Sequence, residues 1–217
     1  WEGNGMLEIV AWIAISFISG SVPWALIVGK VFLGKDVRKI GDGNPGTANS
    51  WKLGGWAPGM LSLVLDVGKA AIPVYVALTF PDLLSDSDWS GTTKQIGVAL
   101  IAIAPVVGHG WSPFLKFRGG KALASSWGSW IGLTGGLAFP AGLLLLIFGH
   151  GLQRNHAITT TFTLAMFIPL LLPLYFHPYI LINGLLILAI VIYKHRGEYS
   201  LGMTPRGWVS AIVRGKS

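Results

Sequence analysis

Residues 7–32 read LEIVAWIAISFISGSVPWALIVGKVF, an apolar stretch whose two charges, Glu8 and Lys30, sit at its ends. A helix needs roughly 20 mostly apolar residues to cross the hydrocarbon of a bilayer, and this stretch is long enough. It is too long for the apolar part of a signal peptide and carries no A-x-A cleavage pattern, so it reads as a retained span. The chain opens at Trp1 rather than Met, which leaves room for a longer natural N-terminus. Six more stretches read the same way: residues 55–80, 96–111, 122–134, 136–152, 158–176 and 179–193. The fourth and fifth of the seven are short and meet at Gly135-Gly136. They are either two spans or one long, bent or re-entrant element.

Composition agrees with this reading. Of 217 residues, 52% are hydrophobic and 12% charged, with a mean hydropathy of +0.61. A soluble domain carries about twice that share of charge. The expected fold is therefore all-α: one polytopic membrane domain over residues 1–217 with about seven transmembrane helices. The 30 Gly and 12 Pro follow no fixed period, which excludes a collagen-like chain. The absence of cysteine excludes disulfides, a thiol nucleophile and thiolate metal ligation.

Charge placement orients the layout. With seven crossings, Lys35, Arg38, Lys39, Lys52, Lys116, Arg118, Lys121, Arg154, Lys194, Arg196, Arg206, Arg214 and Lys216 all fall on one side. The opposite side holds Lys94, beside Asp82, Asp86 and Asp88. Because basic residues stay cytoplasmic, the N-terminus is expected outside and the C-terminus inside. The same asymmetry accounts for the net charge of +7 without a nucleic-acid partner.

Three inward-facing stretches are richer than connections need to be. Residues 34–53, GKDVRKIGDGNPGTANSWKL, place glycines at 41, 43 and 46 beside Arg38 and Lys39. Backbone N–H groups in such turns, with cations alongside, cradle phosphate; the other reading is an ordinary basic cytoplasmic loop. Asp66 and Lys69 lie three apart in the second span, on one helical face. Ionisable groups at that depth mark either a functional site or a structural ion pair. In residues 108–126, GHGWSPFLKFRGGKALASS, Pro113 interrupts the helix and Arg118, Gly119, Gly120 and Lys121 open the next one, a ready anion site. His109 is a base, a phosphate donor or a packed core histidine. His150, His156, His177 and His195 show no metal-ligand spacing, so no metal and no cofactor is expected. A G-x-S-x-G elbow, an H-E-x-x-H pair, a Walker lysine motif and an H-x-x-x-x-D pair are all missing, as is an obvious covalent nucleophile.

Taken together, four segments resemble a known family, the bacterial membrane glycerol-3-phosphate acyltransferases that use acyl phosphate (the PlsY family). SGSVPWALIVGKVFLGKDVRKIGDGNPGTAN (19–49) is similar to their first motif and LDVGKA (65–70) to their second, LDxxKG. GHGWSPFLKFRGGKALAS (108–125) is similar to the third, GHxxPxFLxFKGGKGVAT, and KHRGE (194–198) to the terminal HREN-type segment. The four occur in family order.

The resemblance implies transfer of an acyl chain from acyl phosphate to the sn-1 hydroxyl of glycerol 3-phosphate, giving lysophosphatidic acid for phospholipid synthesis. It implies a multi-pass protein of the bacterial cytoplasmic membrane, with its site facing the cytoplasm and the acyl tail among the helices. Carried over by motif, His109, Lys121 and Asn44 are the catalytic candidates. Arg38, Lys39, Gly43 and Asn49 would shape the first phosphate loop, and Asp66 and Lys69 would brace or contact substrate. Arg118, Gly119 and Gly120 would complete the second anion site, closed from the C-terminal end by His195 and Arg196. The three turns are expected to meet in one electropositive cavity.

The family pattern also changes at several places. GSGN becomes Gly41-Asp42-Gly43-Asn44, so a hydroxyl gives way to a carboxylate beside a proposed phosphate. Arg38 or Lys39 is expected to neutralise it. GATN becomes Gly46-Thr47-Ala48-Asn49, GGKG ends in Ala122, and the HREN asparagine falls on Glu198. Asn155-His156-Ala157-Ile158 stands where the family has a serine-containing segment. These changes motivate a second reading, a family member without catalysis that serves as a structural subunit of a larger membrane complex.

Overall fold

The computed structural model describes residues 3–79 and 91–213. Phe80, at the end of the second apolar stretch, lies outside them, as do Asp82, Asp86, Asp88, Arg214 and Lys216. Each of the seven apolar stretches forms helix. The first becomes two, α1 (Gly3–Ser21) and α2 (Trp24–Leu33), and a short α3 (Thr47–Gly54) follows in the loop. Then come α4 (Trp56–Thr79), α5 (Thr92–Gly110), α6 (Leu123–Thr134), α7 (Phe139–Leu152), α8 (His156–Leu171), α9 (Pro178–Lys194) and a terminal α10 (Gly207–Val213). Residues 6–33, 56–79 and 92–115 are long and apolar enough to cross a membrane; α7, α8 and α9 are shorter apolar helices. Gly135 and Gly136 both take positive φ, which only glycine adopts readily, so α6 and α7 are two helices rather than one bent element.

The burial pattern is inverted relative to a water-soluble protein. On α4 the buried side carries Ser62, Asp66 and Lys69, flanked by the small Gly59, Ala70 and Ala77, while Val64, Ile72 and Tyr75 are exposed. Leu7, Leu144, Ile147 and Phe148 are exposed too. An apolar exterior around a partly polar interior is the arrangement a bilayer favours. Small residues then bring the helices close. Gly128 of α6 sits against the Val67 carbonyl of α4 and Gly132 against Val74, four residues on. Gly20 of α1 and Gly108 of α5 make the same close approach from opposite sides. Trp127 and Trp130 meet Phe167 edge-on, at ring-centroid distances of 5.2 and 5.4 Å, and fill the space between α6 and α8.

The break between α1 and α2 sets up the site. Pro23 interrupts the helix, so the Ser21 and Val22 carbonyls just ahead of it lack the i+4 N–H partners that a continuous helix would supply. Lys69 Nζ donates to the Val22 carbonyl at 2.7 Å and Ser112 Oγ to the Ser21 carbonyl at 2.6 Å, while Ser19 Oγ reaches the Lys69 carbonyl at 2.7 Å. One kink is therefore pinned from both α4 and the turn after α5.

Candidate active site

The first loop is held from within. Asp36 accepts from the Arg38 backbone N–H at 2.9 Å and from its guanidinium at 2.6 and 3.0 Å, which caps the turn Val37–Lys39. The Arg38 guanidinium keeps the Asp36 carboxyl at about 2. Gly41 and Gly43 both have positive φ, and buried Asn49 of α3 gathers the turn. Its Nδ2 lies 3.0 Å from the Ile40 carbonyl, 2.9 Å from the Asn44 carbonyl and 3.0 Å from Asp42 Oδ1.

Behind this loop, Asp66 Oδ1 and Lys69 Nζ form a buried ion pair at 2.8 Å. Thr47 Oγ1 donates to the second carboxylate oxygen of Asp66 at 3.1 Å. His109 Nδ1 stands 3.9 Å from Asp66 Oδ1, beyond hydrogen-bond length. The glycine turn folds onto the end of α5, where the Gly120 N–H donates to the His109 carbonyl at 3.0 Å. A Cβ on Gly119 would run into that carbonyl, and one on Gly120 into the His109 ring. Gly119→Ala is therefore expected to displace the turn and cost about 1–3 kcal/mol; thermal unfolding of the purified variant reads it. Ala122 then adopts the left-handed region at φ 65° to start α6, a conformation glycine takes more easily than alanine.

The C-terminal segment docks on the α7–α8 turn. Asn155 caps α8 by accepting from Ala157 N–H at 3.0 Å, and its Nδ2 donates to the Glu198 and Gly202 carbonyls at 3.1 and 2.9 Å. His195 Nδ1 bonds the Val191 carbonyl at 2.9 Å, so that nitrogen carries the proton. The lone pair on Nε2 is buried without a partner. His150 and His156 form an imidazole pair, Nε2 to Nδ1, at 3.0 Å.

These pieces surround one cavity of about 640 Å³. Asp42, Asn44, Thr47, Asn49 and Lys52 line it from the first loop and α3, Asp66 from α4, and His109 from α5. Lys121 enters from the glycine turn, His156 from α8, and His195 and Glu198 from the C-terminal segment. Leu63, Leu123, Trp127 and Leu146 add apolar lining. Two observations correct the sequence reading. First, the cavity is charge-balanced rather than electropositive: Lys52 and Lys121, with Lys69 behind, face Asp42, Asp66 and Glu198. Second, Asp42 is neutralised by neither Arg38 nor Lys39. Lys121 Nζ takes both Asp42 Oδ2 and Glu198 Oε1 as ion-pair partners, while Arg38 belongs to Asp36. Burial works against ionising Asp42, yet Lys121, the Asn44 N–H and Asn49 hold its carboxyl at about 2. Burial likewise works against the charge on Lys121, but the two carboxylates raise its pKa.

The glycerol-3-phosphate acyltransferase family model matches residues 10–201. The chain belongs to the glycerol-3-phosphate acyltransferase family. The enzyme of that name from Desulfovibrio desulfuricans is 33% identical over 198 residues, covering 88% of this chain and 79% of that one. The Staphylococcus carnosus enzyme is 35% identical over 193 residues, covering 88% and 92%. The crystal structure of PlsY, an integral membrane glycerol 3-phosphate acyltransferase, in its glycerol 3-phosphate form superposes with a TM-score of 0.71. That match covers 96% of this chain and 94% of that one at 22% identity. The lysophosphatidic acid form gives 0.72 at 21%. At such identities the likeness is one of fold.

Against this family frame, Asn44, Asn49, Asp66, His109, Lys121 and His195 line the cavity. Lys69 and Gly120 border a small void beside it, lined also by Pro23 and Ser112. Arg38, Lys39, Gly43, Arg118, Gly119 and Arg196 are not among the lining residues; the Arg196 guanidinium lies over the Tyr193 ring, 4.3 Å from its centroid. Sequence reading missed Thr47, Lys52 and His156 as lining residues. Thr47 was visible only as a displaced motif threonine and Lys52 only as one more inward cation.

Proposed function

We propose that this chain transfers an acyl group from acyl phosphate to the sn-1 hydroxyl of glycerol 3-phosphate, releasing lysophosphatidic acid and inorganic phosphate. The observation that carries this reading is a single cavity drawing residues from all four motif segments and lined by charged and polar groups together with Leu63, Trp127 and Leu146. An amphiphilic product needs both kinds of lining. The new ester C–O bond forms as the acyl carbon leaves the phosphate oxygen. The hydroxyl proton goes to the departing phosphate, so no strong protein base is required. Positioning and charge stabilisation supply the catalysis.

In this scheme Lys121 and Lys52 hold phosphate, Asn44 and His109 address the reacting carbonyl and hydroxyl, and His195 Nε2 accepts from a substrate hydroxyl. The basic loops support a site that faces the cytoplasm from the bacterial inner membrane. The structural-subunit reading rested on Asp42, Ala48, Ala122 and Glu198 as departures from the motifs. The shared pairing of Asp42 and Glu198 with Lys121 gives those two acids a place within the site instead.

Purified full-length chain in nanodiscs, given acyl phosphate and glycerol 3-phosphate, is expected to release lysophosphatidic acid and phosphate in equal amounts. A folded preparation that gives none overturns the reading. An equal rate with an acyl thioester overturns the donor assignment alone.

A further inference from the structure

The two acids that depart from the family pattern lie in different segments of the chain, yet both end on the same atom, Lys121 Nζ. Lys121 is also the one lysine that the glycine turn presents to the cavity. We propose that Asp42 and Glu198 are built-in counter-ions that occupy Lys121 in the empty site, and that the phosphate monoester of the acceptor binds by exchange with them. They thereby set how strongly this chain binds glycerol 3-phosphate. This inference rests on the proposed function of the same cavity.

The geometry suits an exchange. Asp42 divides its two oxygens: Oδ1 accepts from the Asn44 N–H at 3.2 Å and from Asn49 Nδ2 at 3.0 Å, while Oδ2 faces Lys121. Releasing Lys121 therefore leaves the Asp42 carboxylate held in its loop and still charged. Among the described residues, the ion-pair partner of Glu198 is Lys121, and about a quarter of each side chain is exposed, so the Glu198 carboxylate turns into water when displaced. Both carboxylates stay close to the bound phosphate. They repel it after exchange as well as compete with it before. Charge-assisted bonds to a phosphate dianion outbid those to a carboxylate, so exchange proceeds, but with part of the binding energy cancelled.

Calorimetric titration of the detergent-purified full chain with glycerol 3-phosphate tests this. Asp42→Ser and Glu198→Asn are each expected to tighten binding about three- to tenfold, and the pair together more than tenfold, with KM falling in parallel. Asp42→Asn and Glu198→Gln, which keep size and hydrogen bonding, are expected to act in the same direction. Adding Lys121→Met removes the gain. Unchanged or weaker binding in both double variants, with wild-type unfolding behaviour, overturns the proposal. Turnover with an unaltered KM sinks the counter-ion idea alone, whereas a wild type without turnover sinks the proposed function. Failure of wild type and double variants alike to bind glycerol 3-phosphate at millimolar concentration overturns both.

Discussion

Lys121→Met is expected to lower kcat/KM for glycerol 3-phosphate by about a thousandfold or more. Removing one preorganised donor from a charge-stabilising site costs about 10²–10³ in rate. Here the loss is compounded, because the same side chain neutralises Asp42 and Glu198. Without it, Asp42 and Glu198 face the phosphate with their shared cation gone. The fold should tolerate the change: the Lys121 side chain is a quarter exposed and that of Asp42 nearly half, so water can solvate the stranded charges. Wild-type thermal unfolding together with collapsed turnover is the expected pair of results. Activity within tenfold of wild type would remove Lys121 from the chemistry.

The second large effect falls on stability. Lys69→Met strands Asp66, whose side chain is almost wholly buried, without its 2.8 Å partner, and leaves the Val22 carbonyl with the Trp24 N–H alone. Removing one member of a buried pair costs about 3–5 kcal/mol, because the other is left charged in a low-dielectric interior. For a chain of this size that lowers the unfolding midpoint by roughly 10 °C. Asp66→Asn combined with Lys69→Met is expected to recover part of the loss, since the two form a unit. A single variant that unfolds at the wild-type midpoint would show that the pair does not brace the site.

The helices were legible because a bilayer makes a simple demand, and seven apolar stretches answered it. The kink at Pro23 was not read, since residues 7–32 are apolar enough on both sides of it to pass for one continuous span. The contact of Gly128 and Gly132 with α4 was open to reading from their four-residue spacing. Which residues fill the site was legible where a motif names a side chain that must point inward, as with Asn49, His109 and Lys121. Charge pairing was not. Arg38 and Lys39 lie closest to Asp42 along the chain, but Asp36 takes Arg38 through a two-residue spacing. The partner of Asp42 instead arrives from a turn fixed only when α5 and α6 pack. Lys52 and His156 sit outside the motif cores, so only the assembled cavity reveals them.

The pinned kink also bears on how the chain is assembled during synthesis. Until α4 has emerged and inserted, the carbonyl of Val22 has no ammonium to meet, and that of Ser21 must wait longer, for Ser112 beyond α5. The first segment is thus left incomplete at birth. Its last two carbonyls find these partners only after two later segments have joined it, so the local strength of the first helix does not by itself complete the bend.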